Sequence, residues 1–87
     1  MLTKNLKQLR TEHGFTQKRL ALIAGIHLRN LQSYEQCKKS APLEAVLKIC
    51  LALGCEARDL LDESENEEVL QVLDEYLKMQ RRHRKKR

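Results

Sequence analysis

Four polar side chains gather on one face of a short predicted helix, in the stretch LRNLQSYEQ. If Leu31 and Tyr34 point inward, the 100° step of a helix places these side chains on the opposite face: Arg29, Gln32, Ser33 and Gln36. An arginine there can donate two hydrogen bonds to O6 and N7 of guanine, and a glutamine can pair with adenine. The chemistry open to this face therefore includes hydrogen bonding to the edges of base pairs.

The sequence offers no arrangement suited to catalysis or to metal binding. The three histidines, His13, His27 and His83, belong to separate predicted elements and share no ligand spacing. The three cysteines contain no C-x-x-C pair, so we expect the reduced thiols of a cytoplasmic protein, with Cys50 in the core. We therefore expect no enzymatic activity, no metal and no cofactor.

Short amphipathic segments predict helices along most of the chain. The 87 residues are 3% aromatic and include one proline, which favours a small all-α domain over a β-fold. Five helices are expected before residue 62, with Thr16 as the N-cap of the second and Pro42 in the first turn of the fourth. Their approximate ranges are 3–13, 16–24, 28–36, 42–53 and 57–61.

The second and third helices are separated by a tight turn. Gly25 can adopt the positive φ that such a turn needs, and Ala21, one turn earlier, is small enough to sit where the helices cross. Ile26 closes the turn, and the third helix offers Leu31 and Tyr34 as its apolar face. This spacing indicates a helix-turn-helix unit rather than an ordinary helical hairpin.

Residues 5–61 resemble the Cro/cI-type, lambda-repressor-like helix-turn-helix domain of phage repressors and of bacterial regulators of the xenobiotic-response-element group. The positions that carry the resemblance are Leu6, Leu9-Arg10, Thr16-Gln17, Ala21, Gly25-Ile26, Leu31, Tyr34-Glu35, Leu43-Glu44, Leu47, Ile49, Ala52-Leu53-Gly54 and Leu60-Leu61. The resemblance implies a five-helix domain that docks its third helix in the major groove of DNA. It also implies an ion pair between Arg10 and Glu35.

The resemblance assigns roles to the residues around the third helix. Its base-reading positions correspond here to His27, Leu28, Arg29, Gln32 and Ser33. Phosphate contacts are expected from Gln17, at the start of the second helix, and from Lys38 and Lys39, in the loop after the third helix.

Three positions depart from the family pattern. Cys37 replaces the glycine that usually follows the third helix, so the end of that helix is expected to differ or to be strained. His27 and Glu56 replace the usual capping residues of the third and fifth helices.

Charge is distributed unevenly along the chain, whose net charge is +5. Residues 62–76 hold seven acidic and no basic residues, whereas residues 77–87 hold seven basic and no acidic ones. The basic tail, residues 81–87, is expected either to add non-specific attraction to DNA or to act as a solubilising end.

Residues 63–80 predict an additional amphipathic helix, with a capping box from Ser64 to Glu67. Its apolar face is too broad to remain in water, and it must pack on its own domain or on a second copy. The candidate dimer interface consists of Val69, Leu70, Val72, Leu73, Tyr76 and Leu77. A dimer would place two third helices about 34 Å apart on double-stranded DNA.

These observations predict an all-α, sequence-specific DNA-binding transcriptional regulator, with its DNA-binding domain in residues 1–62. We expect a repressor that acts as a homodimer in the cytoplasm, in association with the nucleoid. The alternative is an antitoxin-like module that binds a partner protein through the last helix while the front half binds DNA. Without an apolar run of 18 residues or a signal-peptide core, neither a membrane span nor export is expected.

Overall fold

The computed structural model describes residues 1–62 and 65–85, the last three of these by their backbone alone. The described chain is helical and contains α1 (Leu6–Glu12), α2 (Gln17–Ala24), α3 (Leu28–Glu35), α4 (Leu43–Leu53), α5 (Ala57–Leu60) and α6 (Glu67–Lys85). The predicted all-α class, with five helices and one more at the C-terminal end, is confirmed.

Local signals set most of the helix boundaries. The Thr16 side chain accepts a hydrogen bond from the backbone N–H of Arg19 at 3.1 Å and so caps α2. Pro42 lies just before α4, in the N-cap position, rather than in the first turn of the helix. Its fixed φ suits the extended conformation of this cap. The predicted cap Ser64 lies outside the described residues. Asn66 precedes α6, and its side-chain oxygen accepts the N–H of Glu68 at 2.7 Å.

The core lies between α2, α3 and α4, and α1, α5 and α6 cover its edges. Leu6 of α1 and Leu20 of α2 are buried, as are Leu31 of α3, Ile49 of α4 and Leu60 of α5. Burial of such aliphatic side chains contributes roughly 1.5–3 kcal/mol each, which makes this cluster the main source of stability. The positions of α2 and α3 relative to one another therefore depend on a common core.

The first five residues are not helical, so α1 begins three residues later than predicted. Thr3 pairs with Leu61 in an isolated antiparallel bridge, and the N–H of Lys4 donates to the Leu60 carbonyl at 2.7 Å. The buried Thr3 hydroxyl donates to the carbonyl of Tyr34 at 2.9 Å. These bonds tie the beginning of the chain to the end of α3 and to the segment after α5.

One apolar stripe of α6, made of Leu70, Leu73 and Leu77, is buried against α4 and α5. This corrects half of the candidate dimer interface, because these three side chains belong to the chain's own core. The other three predicted interface residues, Val69, Val72 and Tyr76, remain exposed.

Two charged side chains attach α6 to the ends of its neighbours. Asp74 accepts the backbone N–H of Ala57, at the start of α5, at 2.6 Å. Arg81 donates to the carbonyls of Cys50 and Cys55, at the end of α4, at 3.2 and 2.5 Å. A carboxylate at a helix N-terminus and a guanidinium at a C-terminus both complement the helix dipole, so these contacts reinforce the apolar packing.

In the described part of the chain, no helix combines the length and the apolarity that a bilayer crossing requires.

Candidate nucleic-acid interface

The turn between α2 and α3 has the predicted geometry. Gly25 adopts φ +75°, and its N–H and that of Ile26 both donate to the Ala21 carbonyl, at 2.9 and 3.0 Å. Ala21, Leu31 and Tyr34 are buried, and Ile26 is half-buried against the core. The turn is thus rigidly attached to α2, and α3 leaves it in a defined direction.

The face of α3 opposite the core is open to a ligand. His27, Leu28 and Arg29 are exposed, and Gln32 and Ser33 are half-buried further along the same helix. His27 occupies the N-cap position in an extended conformation, but its side chain makes no capping hydrogen bond. Its imidazole is therefore not committed to the start of α3.

The ion pair implied for Arg10 and Glu35 is present and almost fully buried. Arg10 Nε donates to Glu35 Oε2 at 2.5 Å, and their side chains are 9% and 5% exposed. Arg10 also donates through Nη2 to Glu35 Oε1 at 3.3 Å and through Nη1 to the Phe15 carbonyl at 2.8 Å. The pair joins α1 to the end of α3 and to the segment that leads into α2.

The hydrogen-bond network extends from this ion pair to the open face of α3. Gln17 Nε2 donates to Glu35 Oε1 at 3.0 Å, and Gln32 Nε2 donates to Gln17 Oε1 at 3.3 Å. Gln17 therefore connects α2 to α3 instead of projecting freely. Gln32 keeps its side-chain carbonyl and its second N–H for a ligand.

The loop after α3 begins with an unusual residue conformation. Cys37 has φ +57°, the left-handed conformation that glycine adopts readily, and the Lys38 N–H donates to the Ser33 carbonyl at 3.0 Å. The helix thus ends as it would with glycine, although a non-glycine residue there carries a steric cost of roughly 1–2 kcal/mol. Cys37 Sγ also donates to the Thr3 carbonyl at 3.4 Å, which holds the loop against the N-terminal segment.

The two lysines of this loop are exposed but differ in their partners. Lys39 Nζ donates to Asn30 Oδ1 of α3 at 3.1 Å. This bond places the Lys39 ammonium beside α3, next to the face that carries Arg29. Lys38 extends into solvent from the same loop.

The segment from residue 13 to residue 43 is strongly electropositive. It contains five basic residues and one acidic residue, Glu35, which is neutralised by the ion pair with Arg10. All five cations are exposed: Lys18, Arg19, Arg29, Lys38 and Lys39. Such a surface attracts a polyanion and makes its binding dependent on salt.

Lys18 and Arg19 were not among the predicted contact residues. Their position on the exposed side of α2 follows from the inward-facing Leu20 and Ala21. A charge count restricted to residues 13–43 would have indicated them, because it separates the helix-turn-helix from the acidic residues that follow it.

The other departure from the family pattern is also accommodated. At the start of α5, the Glu56 N–H donates to Asp59 Oδ2 at 3.1 Å, while Asp74 of α6 accepts from Ala57. Part of the capping of α5 thus comes from another helix.

Among the described residues, no group of three or more histidine, cysteine or acidic side chains is arranged to hold a metal ion.

A family model described as a Cro/C1-type HTH DNA-binding domain matches residues 5–64, which include α1 to α5. Comparison with curated proteins gives no significant match.

Proposed function

We propose that this DNA-binding regulator reads specific sequences with α3 in the major groove and acts as a repressor. The premise is that the chain belongs to the Cro/C1-type HTH DNA-binding domain family. The observation that carries the proposal is the exposed polar face of α3 within a segment whose only carboxylate is neutralised internally. Because residues 13–43 contain no free carboxylate, the backbone phosphates can approach this segment closely.

Within this proposal, the residues at the start of α3 read the base edges. Arg29 donates two hydrogen bonds to O6 and N7 of a guanine, which discriminates against other bases by roughly 1–3 kcal/mol. Leu28 contacts a thymine methyl group, and His27 donates to or accepts from a neighbouring base. Ser33 lies further along the same face.

Gln32 pairs with an adenine through the groups that its bond to Gln17 leaves unused. Its free carbonyl accepts from adenine N6, and its second N–H donates to N7. The bond to Gln17 fixes the amide orientation before DNA binds, which supports Gln32 as a reader rather than a flexible surface residue.

Phosphate contacts come from the two sides of α3. The backbone N–H of Gln17 lies in the first turn of α2, where no intrahelical acceptor exists and an anion is favoured. Lys38 and Lys39 contact phosphates from the opposite side. These contacts orient the domain and contribute most of the salt dependence, without reading sequence.

Repression follows if the protein occupies a promoter as a dimer. Two copies related by a two-fold axis would bind two half-sites about one helical turn apart, roughly 34 Å, and block the polymerase. A regulator of this kind acts in the cytoplasm, bound to the nucleoid. The exposed part of α6 is also the surface that a partner protein would use in an antitoxin-like role.

Selection from a pool of random duplex DNA tests the proposal. We expect enrichment of a two-fold symmetric site, and loss of selection at one base pair in each half-site for Arg29→Ala. Binding that is sensitive to salt but selects no sequence would contradict the proposal. It would leave the helix-turn-helix as a scaffold and favour the partner-protein alternative.

A further inference from the structure

A second apolar stripe runs along α6 on a face that the chain leaves uncovered. It consists of Val69, Val72, Tyr76 and Met79, which are 38%, 62%, 43% and 63% exposed. We call these four residues the α6 seam. Their spacing of three, four and three residues is that of the a and d positions of a helix packed against another helix.

The α6 seam is separate from the buried stripe of the same helix. At 100° per residue, the seam is centred roughly 110° around the helix from Leu70, Leu73 and Leu77. The buried stripe, with Asp74 and Arg81, holds α6 on its own domain. The helix can therefore contact another body through the seam without leaving its domain.

Charge along α6 changes sign at its middle. Residues 65–76 hold five acidic and no basic residues, and residues 77–85 hold five basic and no acidic ones. Glu67, Asp74 and Arg81 already have partners inside the chain, which leaves Glu65, Glu68 and Glu75 in the first half and, among the described side chains, Lys78 and Arg82 in the second. Parallel packing of two such helices would place like charges together, whereas antiparallel packing places opposite charges together.

We propose that the α6 seam binds the α6 seam of a second copy of this chain, with the two helices antiparallel. In the register that matches the seam residues, Val69 lies opposite Met79 and Val72 lies opposite Tyr76. Both pairs are centred on position 74, so the two-fold axis passes beside it. This is the self-complementary arrangement of a symmetric dimer.

The same register pairs charges along the solvent side of the seam. Glu68 of each copy lies opposite Arg82 of the other, which gives two ion pairs per dimer. Glu75 lies beside the axis and faces Glu75 of the other copy. This single repulsion is outnumbered by the two attractive pairs, so the net contribution of charge still favours the antiparallel arrangement.

The inference rests on the dimer in the proposed function, which it deepens by naming the surface and the orientation. The association is measured without DNA, so its failure would leave DNA reading by α3 untouched. Equally, a stable dimer that selects no DNA sequence would support the inference and contradict the proposed function.

Analytical ultracentrifugation over a wide range of concentrations tests the seam. We expect the wild-type chain to dimerise and Val72→Glu to raise the dimer Kd by about 100-fold, because each dimer would bury two unpaired carboxylates. Leu22→Glu is the matched control, since Leu22 is an exposed leucine of α2, 75% accessible, outside the seam. The control should leave the dimer Kd unchanged, and urea unfolding should show that both variants are folded.

Charge exchange tests the orientation. Glu68→Arg and Arg82→Glu should each raise the dimer Kd by roughly tenfold, and the double variant should return to within about threefold of the wild type. A monomeric wild-type chain would overturn the proposal and leave the seam to another protein. A dimer that survives Val72→Glu would overturn the seam, and a double variant without recovery would overturn the antiparallel orientation.

Discussion

The buried ion pair between Arg10 and Glu35 should reveal itself in a double-mutant cycle. Removal of either partner leaves the other as an uncompensated charge, in a site where the side chains are only 9% and 5% exposed. Breaking such a pair costs about 3–5 kcal/mol. We therefore expect Arg10→Met and Glu35→Leu each to lower the free energy of unfolding by about 3 kcal/mol, with Tm falling by roughly 12–24 °C.

The double variant should lose much less stability than the two single losses combined. Without the pair, the Phe15 carbonyl and the Gln17 amide each lose one hydrogen bond, which costs about 1 kcal/mol apiece. The two apolar replacements recover part of that cost by burying more apolar surface. We expect a total loss of about 1–2 kcal/mol, which corresponds to a coupling energy of about 4 kcal/mol.

Urea unfolding followed by circular dichroism measures these free energies. Lys48 and Glu44 provide a matched control pair, because their side chains are 42% and 81% exposed. The corresponding substitutions there should change stability by less than about 0.5 kcal/mol each. Two single losses below about 1 kcal/mol that simply add would refute the reasoning, since the pair would then behave as a surface contact.

Three further predictions concern the attachment of α6, the end of α3 and the thiols. Asp74→Ala should lower the free energy of unfolding by about 2 kcal/mol in urea, because the Ala57 N–H loses its acceptor, whereas the exposed neighbour Glu75→Ala should stay within about 0.5 kcal/mol; equal effects would mean that α6 is not docked in this way. Cys37→Gly should raise the free energy of unfolding by about 0.5 kcal/mol in thermal denaturation, and Cys37→Val should lower it by about 2 kcal/mol, since φ of residue 37 is +57°. The reverse order would contradict a left-handed residue at this position. In a native thiol titration, exposed Cys37 should react fast, whereas buried Cys50 and Cys55 should react only when the chain unfolds. The side-chain hydrogen bond to Cys55, together with burial, raises the pKa of Cys50 and slows the reaction of this thiol further. Three equally fast thiols would contradict this burial.

The helix-turn-helix unit could be predicted because its signals are local. Ala21, Gly25 and Leu31 act through spacing along one stretch of chain, and the structure places them in the crossing, the turn and the core. The position of Arg29 on the open face follows from the same helical period. The resemblance to a known family supplied the pairing of Arg10 with Glu35, which periodicity alone does not give.

The attachment of α6 could not be predicted, because it depends on which helix ends meet in space. Asp74 and Arg81 are ordinary charged residues in the sequence, and their roles arise only when α6 lies across the start of α5 and the end of α4. The pairing of Thr3 with Leu61 is equally non-local.

The apolar width of α6 was visible in the sequence, but its division between two faces was not. Leu70 and Val69 are neighbours in the chain and lie about 100° apart around the helix. The position of α4 and α5 decides which of these two side chains points toward the domain. The prediction of one broad interface therefore merged a buried stripe with an exposed one.

The most direct test of the central claim compares Arg29→Ala with Lys39→Ala on the selected site and on all its single base-pair variants. If α3 reads bases, Arg29→Ala loses about 1–3 kcal/mol on the selected site and no longer distinguishes bases at one position. Lys39→Ala weakens binding equally on every sequence and lowers the salt slope by about 1. Arg29→Ala that weakens all sequences equally, with the base preference intact, would contradict the claim that this face of α3 reads the major groove.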